Sequence, residues 1–419
     1  MTSEVQKSQQ PEPEPTLHST DQITSPTTET ETNSFPRRSL LKGATVAAAT
    51  LGAFGGLTLP AHALPAHAAA ATTSTSGVKL APQGKKPTSF KYNLEGAPSQ
   101  TFPGGTVRTA TAANIQELSG MSISSESIAP GAMHELHWHI NANELNYCLS
   151  GQGEIGILLS GTENAIFAIQ PGSVSFVPLG AMHYIRNTGT DTLRIITAFT
   201  NENPERIDFS NSLGFIPRNL LAQTYSLPTQ AFPSLPEQAD QFLVNVGPVP
   251  TPSPVSASGP FTANFNNIAP KVSPGGTLGV LTNQNIPPLD GITLFLLTVQ
   301  PGGLREPHWH PNVSELNYCV QGGAQFEIIT PDNTRETFSV QPGDTAFVPQ
   351  NYFHYIASTT NDPLVFLIFF SGTTVGHVDL SQITTFFPRD LIAASFGSNL
   401  HIFDNIPNLG DVSIAPKEM

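Results

Sequence analysis

From Phe90 to Ala222 the chain spells a pattern that it spells again, without a gap, from Phe261 to Ala393, always 171 residues later. Asn93 returns as Asn264, and Pro103-Gly104-Gly105-Thr106 returns as Pro274-Gly275-Gly276-Thr277. A duplication of this length restricts the fold to two similar units in tandem, each large enough to enclose its own core. Inside each copy, short apolar or alternating runs are broken by Gly and Pro. Residues 154–159, 165–169, 175–177 and 193–199 read as strands, with partners at 325–329, 338–340, 345–348 and 364–370. Many short strands at regular spacing predict a sandwich or barrel. Charged residues make up only 12 %, and 38 Pro and 34 Gly suit a turn-rich all-β chain. Segments 217–225 and 388–396 open with Pro and predict one short helix at the end of each copy. The connection 226–260 is Pro-rich, and 238–246 within it reads as an added strand.

The duplication also repeats a constellation of chemistry. His137 and His139 are two apart, so on a strand both imidazoles face one side while Trp138 faces the other. Glu144 and His183 complete a set of three imidazoles and one carboxylate. His308, His310, Glu315 and His354 return at the same offset of 171. One H-x-H is as compatible with a buried, satisfied histidine pair as with ligands. Two four-residue sets in equal spacing point to two mixed N/O metal sites, suited to Mn, Fe or Ni, with Zn less well matched. Four protein ligands leave two positions open on a six-coordinate ion, for a guest carboxylate, dioxygen or water.

These residues resemble the two motifs of the cupin family. Gly131, His137, His139, Glu144, Gly151, Gly172, Pro178, Gly180, His183 and Asn187 fall on the pattern in the first copy. In the second copy Gly302, Gly322, Gly343 and Pro349 do, while Asn351 and Ser358 depart from its Gly and Asn. The resemblance, over about residues 85–400, implies two tandem jelly-roll barrels with short helical tails, and is greatest to the manganese bicupins of the oxalate decarboxylase group. It implies manganese at both sites and oxalate cleavage to formate and carbon dioxide with dioxygen as partner. It further implies a carboxylate-binding arginine three residues before the first ligand histidine. The second copy has Arg305 there and the first has His134. It implies a proton-donating acid on a mobile lid, for which the first copy offers Glu202 and Glu205. The second copy has no acid in that loop, and Ile368 stands where the group carries another. A metal-storage protein without catalysis, or an oxidase or dioxygenase acting on another small carboxylate, are the competing expectations.

The formal charge of −14 disfavours nucleic acid and anionic membrane surfaces as partners. Residues 1–33 are polar and lack periodicity, which predicts disorder. Pro36-Arg37-Arg38-Ser39-Leu40-Leu41-Lys42 precedes the apolar run 43–59 and two A-x-A sites, at 61–63 and 66–68. This resembles a twin-arginine export signal, implying passage through that machinery to the periplasm or beyond; a membrane anchor is the alternative. The expected division is 1–68 for the disordered region and signal, 69–87 for a linker, 88–235 for the first barrel and 236–419 for the second. Self-association is left open. Cys148 and Cys319 also differ by 171, so they sit in equivalent places and are expected to be buried wall residues rather than a bridge.

Overall fold

A computed structural model describes residues 90–233, 235, 242–248, 259–397, 403–404, 406–407 and 413–417. The predicted signal and linker lie outside these residues. Each copy folds as two facing antiparallel sheets, one of seven strands and one of six. The apolar residues that alternate along the strands fill the space between them, around Ile155, Ile157, Phe167 and Ile195 in the first barrel and Phe326, Ile328, Ile356 and Phe366 in the second. A third core, including Leu145, Phe176, Leu316 and Phe347, joins the two halves.

All eight strands read from the sequence are present, with starts up to three residues earlier in several cases. Two features differ from expectation because they depend on contacts far apart in the chain. The Lys91–Asn93 strand pairs with Asp344–Val348 of the second barrel, and the Thr262–Asn264 strand pairs with Ser173–Val177 of the first. The two strands are 171 residues apart, so the halves exchange equivalent edge strands. Exchange caps an open edge on each seven-stranded sheet, where unpaired N–H and C=O groups would otherwise invite aggregation. The Leu243–Asn245 strand lies inside the segment 238–246 and pairs with the first barrel at His134, Met133 and Ala132. A division at residue 235 therefore cuts through the first barrel's sheet. Ile414–Ala415 pairs with Leu304 and Arg305 in the same way, extending the repeat to Leu243 and Ile414.

The tails hold two helices each, not one. Arg218–Tyr225 and Arg389–Ser395 match the expectation, with Pro217 and Pro388 as extended N-caps rather than first-turn residues. Phe209–Phe215 and Leu380–Phe386 precede them and were not read from the sequence, because their seven-residue lengths carry too few turns for a periodic signal. Asp379 starts the second of these: Gln382 Oε1 accepts its backbone N–H at 3.2 Å.

Candidate metal centres

In the first barrel His137 and His139 lie at the end of the Ala132–His139 strand, His183 opens Met182–Asn187, and Glu144 opens Glu144–Ser150. Cross-strand register sets His183 opposite His137. The second barrel repeats this with His308 opposite His354. In each set the ligand atoms fall within 4.8 Å of one another and all four residues are buried. Every predicted metal ligand is thus in its expected cluster.

The orientation of each imidazole is imposed by backbone. Nδ1 of His137 lies 2.7 Å from Glu135 O, that of His139 lies 3.2 Å from Glu205 O, and that of His183 lies 3.0 Å from Ala181 O. The second barrel uses Glu306 O at 2.7 Å, Gly376 O at 2.8 Å and Tyr352 O at 2.9 Å. A carbonyl can only accept, so each Nδ1 carries the proton and each Nε2 presents a lone pair inward. Glu144 Oε2 lies 2.9 Å from His139 Nε2 and 3.1 Å from His183 Nε2. Glu315 Oε2 lies 2.9 Å from His310 Nε2 and 3.2 Å from His354 Nε2. Lone pairs therefore converge on one point in each barrel. His137 Nε2 is buried with no hydrogen-bond partner. An orphaned donor atom at a shared centre fits a divalent cation, and the backbone carbonyls behind the imidazoles supply the orienting shell that metal-bound histidines use.

The titration behaviour agrees. Burial and the neighbouring imidazoles hold His137 well below its ordinary pKa, and burial with the charge of Arg305 does so for His308. Burial alone would raise Glu144 and Glu315, but the surrounding histidines hold both well below the carboxylate range. His137, His308, Glu144 and Glu315 are thus held in their deprotonated, ligating forms, whereas against burial the neighbouring Glu144 carboxylate raises His183.

Comparison with known proteins sharpens this. Residues 92–231 and 263–400 match the cupin family. The chain belongs to the cupin family. It is 25 % identical over 313 residues to an oxalate decarboxylase of Bacillus subtilis, covering 73 % of this chain and 81 % of that one. It is 24 % identical over 330 residues to a probable oxalate decarboxylase of Arthroderma benhamiae, covering 76 % and 81 %. A solved structure of the Bacillus subtilis oxalate decarboxylase superposes with a TM-score of 0.72 at 23 % identity, over 80 % of this chain and 90 % of that one. Another structure of the same Bacillus protein was determined in a study of its Mn(II) centres.

Around the cages the two halves of this bicupin diverge. Arg305 is buried; its Nη2 donates to Asp379 Oδ1 at 2.8 Å and its Nη1 to Ser413 O at 2.8 Å. A β-bulge between Arg305 and His308 brings these residues, three apart, to the same face. The matching bulge in the first barrel brings His134 against His137, with ring centroids 4.1 Å apart. Simple alternation would have put Glu135 there instead. Glu135 turns to the tail helix and accepts from Ser210 Oγ at 2.9 Å.

His134 has neighbours the sequence did not reveal. Its Nδ1 lies 3.2 Å from Glu126 Oε2, a carboxylate buried on the Ser122–Ile128 strand, where the second barrel has Leu297. Its Nε2 lies 3.4 Å from Arg206 Nη1. The cue for Arg206 was faint: Asp208 and Asp379 match in the repeat, two residues after Arg206 and His377. Glu126 offered none, since a lone acid in a serine-rich strand reads as solvent-facing.

The lid candidates are not gathered at the cage. Glu202 Oε2 accepts the N–H of Gly120 at 2.9 Å, and Glu205 is exposed. What Glu205 contributes is its backbone oxygen, on His139. Its counterpart Gly376 makes the same contact without a side chain. Cys148 and Cys319 are buried and free, with thiols pushed up to about 12 by burial, which disfavours the thiolate a metal would need. Of the two motif departures, Asn351 adopts φ 68°, the left-handed conformation that Gly180 takes at φ 80° and that Asn tolerates. Ser358 leaves its hydroxyl without a partner, whereas Asn187 Nδ2 donates to the backbone oxygens of Ile128 and Asp191, each at 2.8 Å.

Proposed function

We propose that this bicupin holds manganese in both barrels and cleaves oxalate, or a closely similar small dicarboxylate, with release of carbon dioxide. The observation that carries this reading is a buried guanidinium, Arg305, on the same strand face as a cage of three imidazoles and one carboxylate. A small dianion is the guest such a pairing suits. The relatives named oxalate decarboxylase, and the Mn(II) centres of one of them, support the choice of substrate and metal.

His137, His139, Glu144 and His183 would hold one ion, and His308, His310, Glu315 and His354 the other. Bound manganese would supply Lewis-acid and one-electron chemistry at a substrate carboxylate. The chain supplies the rest. Asp379 and Ser413 O fix two guanidinium nitrogens of Arg305, so its remaining N–H groups are pre-aimed for a carboxylate. Asn146 Nδ2 at 2.6 Å and Asn317 Nδ2 at 2.8 Å hold the outer oxygens of Glu144 and Glu315, leaving the inner oxygens for the ion. Buried strands exclude bulk water, which strengthens each of these contacts.

The placement of Glu202 and Glu205 favours a second reading, a metal-binding cupin without turnover, since the lid carboxylates are engaged elsewhere or exposed. The deciding experiment is elemental analysis of the purified protein followed by assays for formate and peroxide from oxalate. Formate supports the lyase, peroxide an oxidase, and neither product from manganese-loaded protein would remove the enzymatic reading. Arg305→Lys is expected to weaken oxalate binding about tenfold or more, as loss of a bidentate charge-assisted contact does; unchanged affinity would remove Arg305 from that role. The Arg37-Arg38 motif supports export beyond the cytoplasm, testable by fractionation of cells expressing wild-type and Arg37→Lys/Arg38→Lys chains.

A further inference from the structure

The first barrel lacks arginine at the position of Arg305, yet an arginine stands on the same inner face by another route. The duplication makes the exchange explicit. His134 in the first barrel corresponds to Arg305 in the second, and Arg206 in the first corresponds to His377 in the second. Arginine and histidine have traded places across one pair of strands. The acid that holds the guanidinium has not moved: Asp208 and Asp379 correspond. Arg206 Nε lies 3.0 Å from Asp208 Oδ1, as Arg305 Nη2 lies 2.8 Å from Asp379 Oδ1.

Register places Arg206 inside. The Arg206–Asp208 strand pairs with Ala132–His139, setting Arg206 directly opposite His139 and Asp208 opposite His137. Directly opposed residues in an antiparallel pair project to the same face. Both ligand histidines face the cage, so Arg206 and Asp208 do too. The guanidinium carbon sits 3.8 Å from the Phe242 ring centroid, and Phe242 stacks on His134 at 4.0 Å. Phe242 corresponds to Ser413, whose carbonyl positions Arg305. The aromatic face thus takes over the positioning from a backbone oxygen, as a cation–π contact can. Arg206 keeps 16 % of its side chain accessible, and its planar fork offers five donors, more than Asp208 can use.

Building on the oxalate reading, we propose that Arg206 binds the substrate carboxylate in the first barrel, so that both barrels have a guanidinium clamp, delivered from opposite strands of the pair. The alternative is an ion pair with Asp208 that serves only to hold the strand.

The test measures oxalate stoichiometry and affinity by calorimetry on full-length, manganese-loaded protein, with metal content and thermal unfolding recorded for every variant. The wild type is expected to bind two oxalates per chain. Arg206→Gln and Arg305→Gln should each lose one of them, or weaken it about 10- to 100-fold, while retaining two metal ions; the double variant should lose both. Arg206→Lys should recover part of the loss, and His134→Arg combined with Arg206→His, which copies the second barrel's arrangement, should restore the second site. If Arg206→Gln keeps two unaltered oxalate sites while Arg305→Gln loses one, Arg206 is structural and the assignment fails although the oxalate reading stands. If the wild type binds no oxalate, that reading fails and takes this assignment with it. If Arg206→Gln loses its metal, the residue supports the cage rather than the guest, and the assignment is overturned.

Discussion

The first barrel surrounds its cage with His134, Glu126, Arg206, Phe242 and Thr197; the second surrounds an equivalent cage with Arg305, Leu297, His377, Ser413 and Ile368. The ligands are the same and their surroundings are not. The cages persist because each imidazole is aimed by a backbone carbonyl, and a carbonyl is present whatever the side chain. Glu205 and Gly376 differ as much as two residues can, yet both direct a ligand histidine through their oxygen. The surroundings are built from side chains, so substitution reaches them directly. Two metal sites of one design can then present different chemistry to a guest: a cage beside a buried guanidinium held by Asp379 and Ser413 O in one half, and beside an imidazole between a carboxylate and a guanidinium in the other.

The largest test of this comparison removes a ligand from one cage only. His137→Ala and His308→Ala should each lower metal content from two ions per chain to one, and each should abolish only its own barrel's share of turnover. Equal loss of both ions from either variant would mean that the cages are not independent.

Acid should act on both cages, less steeply on the first, where against burial the Glu144 carboxylate raises His183 and so adds stability that is present below about pH 6.5 and lost as pH rises. His137 and His308 have folded pKa values below their unfolded value, so the unfolded chain binds more protons as pH falls below about 6.5. Their stabilising contribution is present above that pH and is lost as pH falls toward the folded values. Glu144 and Glu315, also depressed, add a second loss that begins below about pH 4.5 and is completed only as pH passes through their folded values. Thermal unfolding of the metal-free protein should therefore fall in temperature below about pH 6.5 and again below about pH 4.5, and bound metal should be released over the same range by proton competition. A flat profile from pH 7 to 4 would contradict this account of the ligands.

A smaller effect separates the halves. In the first barrel Thr197 Oγ1 donates to Asn146 Oδ1 at 2.6 Å, which locks the amide that holds Glu144. Ile368 cannot donate, and Asn317 Oδ1 is buried without a partner. Thr197→Val should cost about 1–3 kcal/mol by orphaning Asn146 Oδ1. Ile368→Thr should be closer to neutral, because the hydrogen bond it gains offsets the apolar burial it gives up. Denaturant unfolding of the two variants checks this asymmetry, and equal losses would refute it. The smallest change expected is Glu202→Gln, which weakens one bond to Gly120 N, worth under about 1 kcal/mol, and should leave product formation from oxalate nearly unaltered. A large fall in formate yield would restore Glu202 as a proton donor acting from a lid position different from this one.

The sequence by itself determined the two-barrel architecture, eight strands of the two barrel walls and all eight residues of the two cages. Those features are written locally: alternation of period two marks a strand and its face, and an exact repeat doubles every signal. Tertiary structure decided what period two cannot carry. A bulge turned His134 inward and Glu135 outward, against the alternation of the strand that holds them. The trade of edge strands between halves, and the membership of Leu243–Asn245 in the first barrel, depend on which segments meet after folding. Arg206, Phe242 and Glu126 approach His134 from three different segments of the chain. Hydrogen bonds and stacking act through space over a few ångströms, while sequence reports distance along the chain, and only folding relates the two.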